Sequence, residues 1–381
     1  MTHENLRVAF ICKRRYMGKD VILDRYARLY EIPRQLAHLG HDVSAWCLDY
    51  QGTEAGSWEH DGGVGRLRWR SQPIRPWFLP PLLTYPSRLL RQLQEFAPDV
   101  LIGASDIPHV AIGSWLAGHL GCAYVADLYD NFEGFGQARI PGFVGALRRG
   151  VRRADLVITT SEPLREYVLA NYPPRGEVVP MPSSVDLQIF CPMDRGAARR
   201  ALGLPPDATL VGTAGGLHRE KGVEPLYEAW SRSLSKHDHI HLVLAGPLDP
   251  SCPLPTGDRV HYLGQLGHSE VATLFNALDV GVISVLDTPF GRYCFPQKAY
   301  EMLACRLPVV AANVGAIGTL LAKYPNLLFA PGSSEGLAGA VLYQCRQGVR
   351  VELEVQDWRA LLAPINERLT NIRHAPRGHF Q

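Results

Sequence analysis

A chain of 381 residues exceeds what one compact domain usually holds, so two domains are expected. Its 46% hydrophobic and 20% charged residues are those of an ordinary globular protein, and a net charge of +2 makes no case for nucleic acid as a partner. The eight cysteines are scattered, with no CxxC pair and no zinc-type Cys/His spacing, which suits reduced thiols in a cytosol.

The N-terminus MTHENLRVAFICKRR begins polar and carries only a short apolar run, so it reads as a first strand and not as a signal peptide. No apolar run reaches the roughly 18 residues that a spanning helix needs. After the strand Arg7 to Cys12 comes KRRYMGKD, a loop with Arg14, Arg15 and Lys19 around Gly18. Such a loop falls at the carboxyl edge of a parallel sheet, where α/β proteins bind ligands, and its cations suit a phosphate or acidic substrate or simply solvent. It is neither a Walker A loop nor a GxGxxG. Leu29, Ile32, Leu36 and Leu39 form a helical stripe ended by Gly40, and His41 to Leu48 reads as the next strand.

Residues 66–94 hold six arginines (66, 68, 70, 75, 88 and 91) and no acidic residue, with Trp69, Trp77, Phe78, Leu79, Leu82, Leu83 and Tyr85 between them. Cations beside exposed aromatics suit an anionic membrane surface; the alternative is apolar residues in the core under a cover of arginines. Prolines 73, 76, 80, 81 and 86 predict a loop here rather than one helix.

Asp99 to Gly103 reads as a strand, a helix through Trp115 reaches Gly121, and Ala123 to Asp127 is another strand. At its carboxyl end stand Asp127, Tyr129, Asp130 and Glu133, a cluster suited to a general base, to sugar hydroxyls, to a divalent cation or to capping. Ala154 to Thr160 is one more strand, and Ser161 or Glu162 starts the following helix.

Val178 to Pro192 carries three prolines and no clear period, as a connection between domains would. Val211 to Gly216 then opens a second α/β unit. Gly215 and Gly216 allow close backbone approach, Arg219 and Lys221 follow, and Gly222 opens a helix through Trp230 and Leu234. Glycines, two cations and a helix N-terminus make an anion site suited to a diphosphate, or else a basic turn. His239 to Gly246 is a strand, Val260 to Leu266 a short strand and loop, Ser269 caps a helix, and Val280 to Val285 is a buried strand. In PQKAYEMLACRLPVVAANVG, Pro296 starts a helix with Ala299, Met302 and Leu303 on its apolar face. Pro308 stops it, and Val309 to Ala312 is a buried strand. Lys298 and Glu301 lie near the helix start as solvated charges or as contacts for sugar hydroxyls. Ser333 or Ser334 caps a helix to Cys345, and a last helix contains Trp358, Leu361, Leu362, Ile365 and Leu369.

The order of these motifs resembles the family 4 (group 1) glycosyltransferases. VVPMPSSVDLQIF resembles the family's NGVD…F, GGLHREKG resembles GRL…KG, and VHYLGQL resembles the segment around the base. KAYEMLACRLPVV resembles EAMACGTPVV, and LFAPGSSEGLAGAV the loop and helix after it. The resemblance implies the GT-B fold: two Rossmann-like domains facing across a cleft, with a C-terminal helix crossing back to the first. The expected bounds are 1–180 for an acceptor-binding domain, 181–194 for a linker and 195–355 for a nucleotide-sugar domain. The crossing helix would be 356–373, followed by a disordered tail, 374–381. It implies further that Lys221 neutralises the donor diphosphate with Arg219 assisting and that Glu301 binds the ribose. Gly264, Gln265 and Leu266 would hold the base, and Gly215 and Gly216 would lie against the phosphates. Tyr293 stands where the family often has a first glutamate, Gly216 where it has the arginine of GRL, and Tyr129 where a catalytic histidine is common. Catalytic roles are thus expected at Asp127, Tyr129, Asp130, Arg219 and Lys221, and donor contacts at Gly215, Gly216, Gly264, Gln265, Leu266, Tyr293, Lys298 and Glu301. No cofactor and no metal are expected. The implied partners are a UDP- or GDP-sugar and a glycan or lipid-linked acceptor, in the cytoplasm or peripherally on the membrane through Arg66 to Arg91. A non-catalytic partner of an active transferase and a nucleotide-sugar epimerase are the competing readings.

Overall fold

The computed structural model describes residues 5–16, 18–52, 55–74, 79–352 and 355–373, with the backbone alone for 79–83. The stretch from His374, expected to be a disordered tail, lies outside them, as do Arg75, Trp77 and Phe78. The chain divides into two compact units: unit 1 runs to Ser183 and resumes at Trp358, and unit 2 is Ser184–Asp357.

Unit 1 starts with β1 (Arg7–Lys13), a short hairpin of β2 (Arg15–Tyr16) and β3 (Lys19–Asp20), and α1 (Ala27–His38). Then follow β4 (Asp42–Asp49), β5 (Gly56–His60), β6 (Arg66–Pro73), α2 (Leu79–Phe96), β7 (Val100–Ala104), α3 (Ile107–Leu120) and β8 (Ala123–Leu128). After α4 (Phe143–Arg152), β9 (Leu156–Thr159), α5 (Glu162–Asn171) and β10 (Glu177–Pro180) complete this part. The eight-stranded sheet has the order β10-β9-β8-β7-β1-β4-β6-β5, with β5 antiparallel to β6. Val8 to Cys12 are fully buried, as a parallel strand covered on both faces must be. The chain leaves β1 toward β4 and later returns on its other side with β7. The strand order therefore switches between β1 and β7, and ligand crevices of open α/β sheets form at the carboxyl ends of such a pair.

Two expectations are corrected here. Residues 66–94 are not a loop but an inner strand and a helix. Prolines 80 and 81 fall in the first turn of α2, where amides have no helical partner, so only Pro86 costs an internal hydrogen bond. Leu67 and Trp69 are fully buried and Tyr85 nearly so, which removes Trp69 and Tyr85 from the surface on which membrane contact was based. The segment from Val178 is likewise not all connection, because Glu177–Pro180 pairs in parallel with β9 as the edge strand, a position that tolerates a proline.

Unit 2 contains α6 (Arg195–Ala201), β11 (Thr209–Ala214), α7 (Glu224–Arg232), β12 (Ile240–Ala245), β13 (Val260–Tyr262), α8 (His268–Ala277) and β14 (Val280–Ile283). It continues with α9 (Pro289–Tyr293), α10 (Gln297–Ala304), β15 (Val309–Ala312), α11 (Gly315–Leu320), β16 (Leu328–Phe329) and α12 (Ser334–Gln347). Its six strands are all parallel in the order β13-β12-β11-β14-β15-β16, so the switch lies between β11 and β14. Val185 and Phe190, from the expected linker, belong to this unit's core.

Local differences have plain causes. Ser269 does not cap α8; Gly267 holds that position, and its amide donates to the Glu270 carboxylate at 2.7 Å. Leu234 lies beyond α7, in a separate 3-10 turn. Helix α10 ends before Pro308, at Arg306, whose φ of 57° is left-handed. The last helix, α13 (Trp358–Arg373), packs Leu361, Leu362, Ile365 and Leu369 into the core of unit 1. It is tied there by hydrogen bonds from Arg368 to Glu177 and between Asn366 and His41.

Candidate functional site

The switch point of unit 2 is paved with backbone. Gly215 (φ 114°) follows β11, Gly246 (φ 128°) follows β12, and Gly264 (φ 73°) follows β13, all in the region that favours glycine. A Cβ on Gly246 would lie 2.0 Å from the Gly215 carbonyl oxygen, so only glycine lets the two turns meet. The Gly264 carbonyl accepts from the Gly246 amide at 2.7 Å, and the Tyr262 hydroxyl donates to the Gly246 carbonyl. Gln265 is exposed beside this stack and Leu266 is half-buried against the core.

Lys298 enters from α10. Its ammonium donates to Thr213 Oγ1 at 3.2 Å, and a Cβ on Gly215 would stand 3.5 Å from that nitrogen. The cation therefore lies directly against the open face of the Gly215 turn. Lys221 belongs to a 3-10 turn, Arg219–Lys221, closed by Gly222 at φ 75°; α7 begins two residues later, not at Gly222 as expected. The Lys221 ammonium sits 4.1 Å from the Phe290 ring centroid, a cation–π contact that holds it without a carboxylate. Arg219, by contrast, is more than half exposed and bridges Glu224 at 2.9 Å. The side chain of Gly216 would collide with His218 at 2.6 Å.

Glu301 and Lys298 are not surface charges. Glu301 is the fifth residue of α10, past the first turn, so the helix dipole is not what holds it. Burial pushes its carboxyl up to about 7, against the Gln297 side-chain hydrogen bond and the field of Lys298. Burial pulls the Lys298 ammonium down to about 8, with Lys221 adding to the shift and Glu301 opposing it. These two groups are thus desolvated without being paired, the condition in which a polar ligand has most to offer. Tyr293 ends α9 and is half-buried.

The carboxylates of unit 1 behave differently. Asp127 is fully buried, and both its oxygens accept from Arg28, at 2.6 Å for the shortest bond; Arg28 also donates to the Met181 carbonyl. That pairing is a correction to its expected role as a base: the carboxylate is closed on a structural cation and does not reach solvent. Glu133 is held by Arg148 at 2.8 Å and by the Tyr167 hydroxyl. Asp130 is 8% exposed and accepts from the Asn131 amide. Among the described residues, no group of three or more His, Cys, Asp or Glu could hold a metal ion. Tyr129 Oη accepts from Lys13 Nζ at 2.8 Å, and burial keeps its phenol protonated, far above the usual range. In the first loop, Arg14 is 1% exposed and donates to Asp20 and Ser71, so it braces the fold and is not offered to a ligand.

Sequence reasoning missed Thr213, Phe290 and Lys13. Phe290 was legible: Thr288-Pro289 is a cap followed by an N1 proline, and Thr288 Oγ1 accepts from the Gly291 amide. Thr213 and Lys13 carried no such local sign, since each matters through a residue far away in the chain.

With this geometry in hand, the comparisons with known proteins fall into place. Residues 27–183 match the family model "Glycosyl transferase 4-like domain", and residues 208–346 match "Glycosyl transferases group 1". D-inositol 3-phosphate glycosyltransferase from Stackebrandtia nassauensis is 30% identical over 202 residues, which are 49% of this chain and 44% of that protein. The Mycobacterium bovis protein of the same name is 31% identical over 180 residues, 44% of this chain and 36% of its own. The match thus spans less than half the length of either relative. Sucrose-phosphate synthase from Thermosynechococcus elongatus superposes with a TM-score of 0.66 at 20% identity, over 97% of this chain and 95% of that one. Anabaena Alr3699/HepE, solved with UDP, gives 0.66 at 18% identity over 97% of both chains. Two parallel-sheet α/β units, matched in order by two glycosyltransferase models, make this chain a member of the family 4 (group 1) glycosyltransferases of the GT-B fold.

Proposed function

We propose that the protein transfers a sugar from a nucleoside diphosphate donor, a UDP- or GDP-sugar, to a glycan or lipid-linked acceptor. The reaction would retain the anomeric configuration, need no bound metal or cofactor, and serve cell-surface polysaccharide or glycolipid synthesis. One observation carries this reading: the Lys298 ammonium lies against the open Gly215 turn, with Lys221 close enough to depress it. The hard step in such a transfer is departure of the nucleoside diphosphate. Two fixed, partly desolvated cations beside a glycine turn stabilise the charge that develops, without reorganising during the reaction. Arg219 is the weaker assistant because Glu224 already engages it. Glu301 accepts from ribose hydroxyls, Gly264, Gln265 and Leu266 lie along the base, Gly216 extends the phosphate turn, and Tyr293 replaces an acidic contact to the transferred sugar. HepE, the solved relative, was crystallised with UDP and with UDP-glucose, which favours uridine as the base.

Calorimetric titration with UDP-glucose and GDP-mannose tests this. One of the two should bind, and Lys221→Ala should abolish the heat; silence from both would end the proposal. The competing reading, a non-catalytic partner of an active transferase, draws on Tyr293 and Tyr129. It predicts nucleotide binding with neither transfer to any acceptor nor hydrolysis of the donor.

A further inference from the structure

The switch point of unit 1 holds a second cluster, built on Lys13. This lysine ends β1, and its amide donates to Ser105 Oγ at 2.8 Å, joining the carboxyl ends of β1 and β7. Ser105 has a φ of 86°, a left-handed conformation that a side chain adopts at a cost and that occurs most often at functional sites. The Lys13 ammonium donates to Tyr129 Oη at 2.8 Å and lies 5.5 Å from the ring centroids of both Tyr16 and Tyr129. Those two rings meet edge to face at 4.9 Å, and all three residues are half-buried.

Lys13 joins no ion pair among the described residues. Asp106 beside it is already filled: it accepts from the His109 ring and amide and from the Tyr50 hydroxyl. An ammonium has three donors, and Tyr129 takes one, leaving two. Tyr129, having accepted from Lys13, keeps its own O–H to donate. The fields of Asp106 and Asp130 both reach Lys13, so the cluster is close to charge balance and is a poor trap for an anion. Free donors beside aromatic faces, at the crevice position of the fold, match a ring that is apolar on its C–H faces and hydroxylated at its rim.

We propose that Lys13, Tyr129 and Tyr16 form a subsite for a neutral sugar ring at the switch point of unit 1, with Lys13 donating to a ring hydroxyl and the tyrosines packing on the ring. The proposal rests on the reading of the chain as a sugar transferase, and it identifies side chains in unit 1 that the donor chemistry of unit 2 does not use. The ring can belong to the donor or to the acceptor, and the experiment separates the two.

The wild type, Lys13→Met, Tyr129→Phe and Tyr16→Leu are titrated with UDP, GDP, UDP-glucose, UDP-galactose and GDP-mannose. Each is also examined by saturation-transfer NMR with the methyl α-glycosides of glucose, galactose and mannose, and with glucose 6-phosphate. Melting temperatures identify any variant that has not folded, and Tyr129→Phe, which keeps the ring, is the mildest change. If the ring is the donor's, Lys13→Met weakens a nucleotide sugar at least fivefold and leaves the free nucleotide unchanged. If it is the acceptor's, nucleotide sugars are unaffected and saturation of one methyl glycoside falls at least fivefold. Folded variants that change neither quantity overturn the proposal. So does a tenfold preference for glucose 6-phosphate that Lys13→Met removes, because the site would then be one for anions. Wild-type protein that binds no nucleotide at all would refute the underlying transferase reading; glycoside binding lost in Lys13→Met would still stand for the subsite.

Discussion

The two switch points place charge at the same position in two related sheets and use it in opposite ways. In unit 1 the conspicuous charges are closed on one another: Asp127 on Arg28, Glu133 on Arg148, Arg14 on Asp20. In unit 2, Lys298 and Glu301 are desolvated but make no ion pair among the described residues, and Lys221 rests on an aromatic ring. A charge at the carboxyl edge of a parallel sheet therefore says little by itself. What separates a brace from a binding group is whether its partner is already in the fold.

This contrast is easiest to break through stability. Asp127→Asn leaves Arg28 buried without its counter-charge, and we expect a loss of about 3–5 kcal/mol, read from urea unfolding. The same experiment on Glu301→Gln should show no loss at pH 7.5. Its folded carboxyl titrates near 7 and the unfolded one near 4.5, so ionisation is harder in the folded state. The charge therefore costs stability as pH rises through that window, and glutamine removes the cost. A large loss in Glu301→Gln would mean that Glu301 is a brace like Asp127.

Affinity should show the reverse order. Lys298→Met removes a cation next to the Gly215 turn, and a charge-assisted hydrogen bond is worth about 1.5–3 kcal/mol, so UDP should weaken roughly 10- to 100-fold. Uridine, which lacks the phosphates, should bind as before. Glu301→Gln retains an acceptor oxygen and should weaken UDP only about fivefold, a loss near 1 kcal/mol. Asp127→Asn, where it remains folded, should leave nucleotide affinity unchanged.

The smallest expected effect concerns protons. With its pKa pulled down to about 8, Lys298 is partly neutral at pH 8.5 in the free protein. A bound diphosphate favours the charged form, so binding at pH 8.5 should take up a fraction of a proton, and at pH 6 that uptake should vanish. Titrations in buffers of different ionisation enthalpy measure it directly, and Lys298→Met should abolish it.

Much of this arrangement was legible in the residues. Apolar runs such as Val8 to Cys12 and Val309 to Ala312 are long enough and bounded clearly enough to be strands. The glycines at 215, 216 and 264 marked turns that only a ligand-lining edge needs. What was not legible depended on distance along the chain. Asp127 looked like a base because its partner, Arg28, is 99 residues away. Lys13 looked like one more cation in a basic loop because Ser105 and Tyr129 are 92 and 116 residues away. The prolines of 76–86 argued for a loop because their meaning changes with the helix register: in a first turn they cost nothing. Glu301 looked solvated because helical spacing reports which face is apolar, not how deeply a polar residue at its margin is covered.

The central claim is that the cations of unit 2 hold a nucleoside diphosphate. It is tested most directly by calorimetric titration of the wild type and the Lys221→Ala, Lys298→Met double variant with UDP and with GDP. The account predicts that the wild type binds one of the two nucleotides and that the double variant, still folded, binds it more than about 100-fold more weakly. Equal affinity in both proteins, or no binding by the wild type, would contradict it.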